Sequence, residues 1–377
     1  MATATVLILH PAPPPEAGPL MRCLTDLRAE MAEVHRAGFE AAGADEVRIV
    51  SEPADDTPFG ARLRRLSRGL RGGLVVLGSG SMPLATAADR AAFVRVAASG
   101  EDAAIANSRY SADIVAIGRA GVLEALPDLD ADNALPRWLS ERAGLAVSDL
   151  SSRWHLAVDL DGPLDALLVA RHPRAPAAVR IAATALVERG ATVLTALDGV
   201  ARVLADRRSE VLVAGRTSGS ALRWLERSTA ARIRALIEER GLRAASELAL
   251  DRRPERPRPP ASTLGMLLDR SGPSALGSLV ASLGDAAVID TRVLLAHRLG
   301  RDQARWPSAE DRFASDLLQQ DAVTDPWLRD LTSAAAGSHV PIVLGGHTVA
   351  GPGIRLVARG ARPLGREGRS LGHATRS

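Results

Sequence analysis

The 377-residue chain has no lysine, a single cysteine (Cys23), a single tyrosine (Tyr110) and only 3% aromatic residues. One cysteine excludes an intrachain disulfide and argues against a cysteine-based zinc site. So few aromatics leave little with which to build stacking platforms for single-stranded nucleic acid. No apolar run approaches the ~18 residues that cross a bilayer, and no basic region precedes an apolar core at the N-terminus. No membrane association is expected, and the cytoplasm is the expected location. Without lysine, all 47 basic residues are arginine, which does not titrate below about pH 12. The sequence pI of ≈ 10.1 therefore accompanies a formal net charge of only +3. That small excess sits in residues 359–377, which hold five arginines and one glutamate. The remainder is close to neutral, so nucleic acid is not the expected partner. Association of the chain with itself stays open.

An apolar share of 46% with 24% charged residues is what a packed protein needs. The length suggests two units on the usual scale of roughly 100–200 residues per domain. Residues 1–170 alternate between short β-type runs, such as Ala2–Leu9, Glu46–Val50 and Gly73–Gly78, and helical patterns, such as Arg22–Ala42 and Ala87–Ala98 with Thr86 as its cap. Ala103–Ala106 and Asp113–Ile117 read as further strands, Asn133–Gly144 as a helix and Trp154–Asp161 as extended. The alternation predicts an α/β fold, a three-layer arrangement around a mainly parallel sheet.

Residues 171–250 read as an α/β extension: a strand at Thr192–Leu197, a helix at Gly199–Asp206, a strand at Glu210–Ala214 and a long helix over Ser220–Arg240. Residues 251–261 are a Pro/Arg-rich linker, 262–358 a mostly helical part ending near the strand candidate Pro341–Leu344, and 359–377 a basic disordered tail.

Two segments place small or acidic residues just past the end of a buried run: Leu77–Leu84 (LGSGSMPL) and Val158–Leu167 (VDLDGPLDAL). Strand ends of open α/β sheets are where ligands bind. Asp159 and Asp161, two apart on an extended chain, point the same way, so either or both suit a divalent cation. A purely structural reading stands beside this one, with Asp165 capping the next helix and Asp159 satisfying a turn. Asn107 and Arg109 suit reading a base or clamping an anion, or else form an Asx-type turn. Val211–Ser220 suits either a phosphate, with Arg216 adding charge, or an ordinary strand-to-helix turn. A metal site from His297, His347 and a carboxylate fits no named spacing.

The run VDLDGPLDALL resembles the D-x-D-x-P-x-D-L segment of nucleotidyltransferases with a glycosyltransferase-A-type fold. These include the molybdenum-cofactor guanylyltransferase-like, phospholactate guanylyltransferase-like and sugar-nucleotide synthetase families. LVVLGSGSMPLATAADRAAFV is similar to their strand–(G-x-D-x-P-L-L-T)–helix segment, about 80 residues earlier and in the family order. The resemblance covers roughly residues 1–170. It implies Mg²⁺-assisted transfer of a nucleotidyl group from a nucleoside triphosphate to a small cofactor or sugar-phosphate acceptor. It places the metal and the catalysis on Asp161, helped by Asp159, and the nucleotide near Ser79, Gly80 and Ser81; the residues themselves offer Asn107, Arg109 and Arg22 as further nucleotide contacts. The sequence departs from the pattern at Ser81, where the family has a carboxylate, and at His10–Pro15, where the family has a glycine-rich basic loop. Those departures keep a second expectation in view: a degenerate transferase domain that binds a nucleotide or a protein partner without catalysis.

Overall fold

The structure is a computed structural model, and it describes residues 3–52, 57–129, 132–239 and 259–359. Most of the expected linker and all of the tail beyond Arg359 lie outside the described residues. Two sheets organise the chain. The first has six strands in the order β2-β1-β3-β5-β4-β6, formed by β1 (Ala4–Leu9), β2 (Glu46–Val50), β3 (Gly73–Gly78), β4 (Ala103–Ala106), β5 (Ile114–Ile117) and β6 (Ala146–Asp149). The second has four parallel strands in the order β10-β9-β7-β8, namely β7 (Glu210–Gly215), β8 (Arg232–Ile237), β9 (Ala286–Asp290) and β10 (Ile342–Gly345). Among the described residues, no helix is long and apolar enough to cross a membrane.

The first sheet is covered on both faces. Helices α1 (Pro19–Ala41) and α3 (Ala87–Ala97) pack Phe39, Phe93 and Val94 onto Val6, Ile8, Val75 and Leu77. On the other face, α2 (Phe59–Ser67) and α4 (Leu135–Glu141) set Leu63 and Leu139 against Leu7, Leu74 and Val76. Consecutive strand residues thus feed opposite cores, as the two-residue period of a strand requires. The three layers agree with expectation, but the sheet is mixed: β5 runs antiparallel to both β3 and β4. Only the seven residues 107–113 separate β4 from β5, too few for the crossover that a parallel neighbour needs. Strand β6 was not anticipated, and the extended reading of Trp154–Asp161 gives way to a 3₁₀ turn at Trp154–Ala157.

Beyond α5 (Pro163–Ala170) come α6 (Ala177–Leu186), α7 (Ala191–Leu204) and α8 (Gly219–Ser228). The expected strand at Thr192–Leu197 is the first half of α7. Its buried Val193, Leu197, Val200 and Leu204 recur at helical steps over a window longer than the β-branched run suggests. The expected long helix over Ser220–Arg240 is α8 followed by the edge strand β8. In Arg232–Ile237 the exposed arginines alternate with half-buried residues, a charged pattern suited to an unpaired edge.

The third part holds α9 (Thr263–Ser271), α10 (Leu276–Leu283), α11 (Thr291–Leu299), α12 (Ala309–Asp316), α13 (Pro326–Ala336), α14 (His347–Ala350) and α15 (Ile354–Arg359). It is helical as expected, except that it also supplies β9. That five-residue run is buried throughout and has no alternation to mark it as a strand. One hydrophobic core runs from Leu20, Leu24, Leu27 and Met31 of α1 through Leu164 and Leu168 to Val211, Val213 and Val288 of the second sheet. Helix α1 therefore serves both sheets, and the two halves are packed together.

Candidate functional site

The reversed strand β5 determines what collects at the first sheet's edge. Because Leu77 pairs with Ile114, the end of β3 and the start of β5 lie side by side. This brings Ser79 and Asp113 to the edge where β1 delivers His10, whose Nδ1 lies 3.1 Å from Ser79 Oγ. The turn after β3 continues through Gly80 and Ser81 to Met82, a fully buried residue with φ of +40°. A non-glycine residue there is strained, and strain of this kind concentrates at functional turns.

The two segments singled out in the sequence meet here. Ser81 and Asp159 form an isolated antiparallel bridge, and the Leu160 amide donates to Gly80 O at 3.1 Å. A Cβ at Gly80 would lie 2.9 Å from Arg28 Nε, 3.2 Å from Leu160 O and 3.3 Å from Asp159 Oδ1, so a larger residue would displace Arg28 and crowd the bridge. Arg28, from α1, donates through Nε and Nη2 to Leu160 O at 2.8 and 2.5 Å and reaches Asp161 at 3.6 Å. It was not picked out in the sequence, where it is one arginine among several on a helix.

A cavity of about 270 Å³ opens at this edge. Phe59, Ile114 and Leu135 form an apolar wall, and Ser79, Gly80, Ser81, Arg28, Asp113 and Asp159 form the polar side. Beside it, a cleft of about 420 Å³ gathers Asp113, Asp132, Asp159 and Asp161 opposite Arg216, Thr217 and His347 of the second sheet's edge. Burial, with Asp132 and Asp161 adding repulsion, pushes the Asp113 carboxyl up to about 7. Burial also raises Asp159 well above the ordinary carboxylate range, with Asp161 and Asp113 adding to the effect. Asp165 is buried, and its Oδ2 accepts from the Asp161 and Gly162 amides at 2.9 and 2.8 Å, the helix-capping role foreseen for it.

The other expected site residues are placed as follows. Ser79 and Ser81 are buried, and Ser81 Oγ donates to Asp113 O at 3.2 Å. Asn107 is 1% exposed, and its amide is used in bonds with Asp113 and Leu156 O. It braces Asp113 instead of facing the open cavity, much as an Asx-type turn would. Arg109 bonds Ser140 Oγ and lines none of the cavities described here. Arg22 is exposed on α1, away from the cavity. Asp132 stands at the rim of both spaces. His297 bonds Asp269 at 2.9 Å, while His347 lines the cleft, so they do not converge.

Across the cleft, charge is matched. Arg216 grips Asp290 through Nε and Nη2 at 2.5 and 3.1 Å, and Arg292 forks onto Asp316. Arg216 holds Asp290 below the usual range despite the opposing effect of burial. Thr348 Oγ1 donates to Asp159 O at 3.0 Å, tying the second sheet's edge to the acidic segment.

No protein-family model matches this chain, and no curated protein matches it.

Proposed function

We propose that the protein binds a nucleoside triphosphate along the edge of the six-stranded sheet and transfers its nucleotidyl group to a small acceptor. The observation that carries this reading is the Ser81–Asp159 bridge, through which the Gly-Ser turn and the acidic segment line one cavity. The apolar wall suits the faces of a base, and Arg28 beside the turn suits phosphate oxygens. Among the described residues, no group of three or more His, Cys, Asp or Glu side chains is arranged to hold a metal ion. Mg²⁺ in such enzymes needs less: one or two carboxylates, with the shell completed by substrate phosphates and water. Asp159 and Asp161, which share the cleft, meet that requirement for an ion arriving with the triphosphate. Once bound, the ion would offset charge building on the α-phosphate.

In the transfer, an acceptor oxygen forms a bond to the α-phosphorus. The bond from that phosphorus to the bridging oxygen breaks, and pyrophosphate leaves with the electron pair. A hydroxyl acceptor passes its proton to Asp113, whose raised pKa suits it to take one near neutral pH.

One observation favours the non-catalytic alternative. Glu310 of α12 accepts from the Leu20 and Met21 amides at 2.9 and 3.1 Å, so a carboxylate of the chain itself covers the α1 N-terminus that would otherwise attract a phosphate. The two readings separate in thermal unfolding with each nucleoside triphosphate, with and without Mg²⁺. A ligand at ~100 times its Kd adds about 2.7 kcal/mol. The transferase reading expects a shift with one nucleotide that needs Mg²⁺ and is lost in Asp161→Asn. A shift indifferent to Mg²⁺ points to a nucleotide-binding module, and no shift with any nucleotide overturns the transferase and leaves only a protein-binding role for the alternative.

A further inference from the structure

A second chamber, about 360 Å³, lies between the two sheets, where Asp161 and Asp165 of the acidic segment face α12 and the second sheet's edge. It is lined chiefly by Arg28, Arg216, Arg292, Arg312, Asp161 and Asp316, and its size is at the low end of small-molecule pockets (about 300–1,000 Å³). Its charges fall into two classes. Arg216 and Arg292 are already matched by Asp290 and Asp316. Arg28 holds Leu160 O and faces Asp161. Arg312, on α12, is half-buried, and among the described residues its guanidinium has no hydrogen bond and no ion pair. Among the described residues it touches the Trp306 ring, 5.8 Å from the guanidinium carbon to the centroid, and feels the Asp316 carboxylate one turn away without pairing with it. Burial and the neighbouring Arg292 act against its charge, and Asp316 offsets them only in part. A half-buried guanidinium with no direct hydrogen bond or ion pair, at the wall of a cavity, is a prepared seat for an oxyanion.

We infer that this chamber binds a small oxyanion-bearing molecule, a phosphate monoester or a carboxylate, with its charged group on Arg312. Resting on the reading proposed above, that molecule is the acceptor. Arg28 lines both this chamber and the cavity at Ser79–Ser81, and Asp161 lines both the chamber and the acidic cleft. Arg28 and Asp161 therefore border both a molecule seated in this chamber and the spaces around the Gly-Ser turn and the acidic segment. The second sheet thereby gains a role that the first 170 residues do not supply.

The test titrates the full chain with inorganic phosphate and, separately, with malonate, at ionic strength matched by chloride, reading thermal unfolding and heat of binding. The native chain is expected to show saturable binding of at least one of the two, and the preferred probe says whether the group is a phosphate or a carboxylate. Arg312→Gln is expected to weaken that binding at least tenfold, and Arg312→Lys to restore part of it. Equal binding by native protein and Arg312→Gln, or no saturable binding of either probe, overturns the inference. Mg²⁺–nucleoside triphosphate binding by Arg312→Gln keeps the two proposals apart. If it persists while phosphate or malonate binding is lost, the chamber is assigned as a site distinct from the donor's. If the native chain binds phosphate through Arg312 but no nucleotide, the donor reading fails and the oxyanion site stands.

Discussion

The facing edges of the two sheets handle charge in opposite ways. At the second sheet, each buried carboxylate has a guanidinium forked onto it: Asp290, 1% exposed, by Arg216, and Asp316, 2% exposed, by Arg292. At the first, Asp113 and Asp159 crowd together with Asp132 and Asp161, and Arg28 is the cation that reaches this group, at 3.6 Å from Asp161. Matched pairs hold an edge in shape. Unmatched carboxylates oppose their own ionisation and are relieved only by a proton or an incoming cation. The two edges differ in burial as well: Asp290 and Asp316 are buried, whereas Asp113 and Asp159 are half-buried and Asp132 and Asp161 are exposed.

Breaking a matched pair should produce the largest effect. Arg292→Met leaves Asp316 buried and uncompensated and is expected to cost about 3–5 kcal/mol, measured by denaturant unfolding. The double variant Arg292→Met/Asp316→Leu should recover most of that, whereas an additive loss would show that the pair is not the source. On the unmatched side the sign reverses. The Asp113 carboxyl ionises near 3.8 in the unfolded chain and about 7 in the fold. Between those values the unfolded chain releases a proton that the fold retains, so stability falls as pH rises from about 4 to 7, by up to about 4 kcal/mol. Asp113→Asn should flatten that slope and exceed the native chain in stability at pH 8; parallel pH profiles would refute the assignment. The smallest effect concerns the tie between the edges. Thr348→Val keeps the shape and removes the donor to Asp159 O, with an expected loss of about 1 kcal/mol in unfolding midpoint measurements.

How much of this was legible in the sequence differs between the same two regions. In the first, Gly73–Gly78 with the Thr86 cap, the Gly-Ser turn and the paired Asp159 and Asp161 were readable. Each is a local pattern whose physical cause lies within a few residues. The capping box of Thr86 and Asp89 is complete in the fold. In the second region, Thr192–Leu197 and Ser220–Arg240 were misread. A short apolar run carries both helix and strand signals, and β9, buried on both faces, carries no alternation. Of the candidate site residues, the Gly-Ser turn and the aspartates came together, while Asn107 became a brace and Arg109 and Arg22 fell outside the cavity. Arg28, Arg292 and Arg312 had no signal, because in a chain with no lysine an arginine is the default cation.

Sequence alone determined the layering, since strand and helix periods, caps and turn residues act over a few positions and need no partner to be read. It also determined that a turn rich in Gly and Ser and an acidic, Pro-stopped segment follow apolar runs. Tertiary structure decided that β5 runs backwards, which puts Asp113 beside Ser79, and that Ser81 bridges to Asp159. It decided too which arginines are matched: Arg216 finds Asp290 across 74 residues, Arg292 finds Asp316 across 24, and Arg312 makes no direct ion pair among the described residues. The reason is that a charge's cost depends on what surrounds it in space. In this chain those neighbours are set by the packing of two sheets around α1, and residue order does not encode them locally.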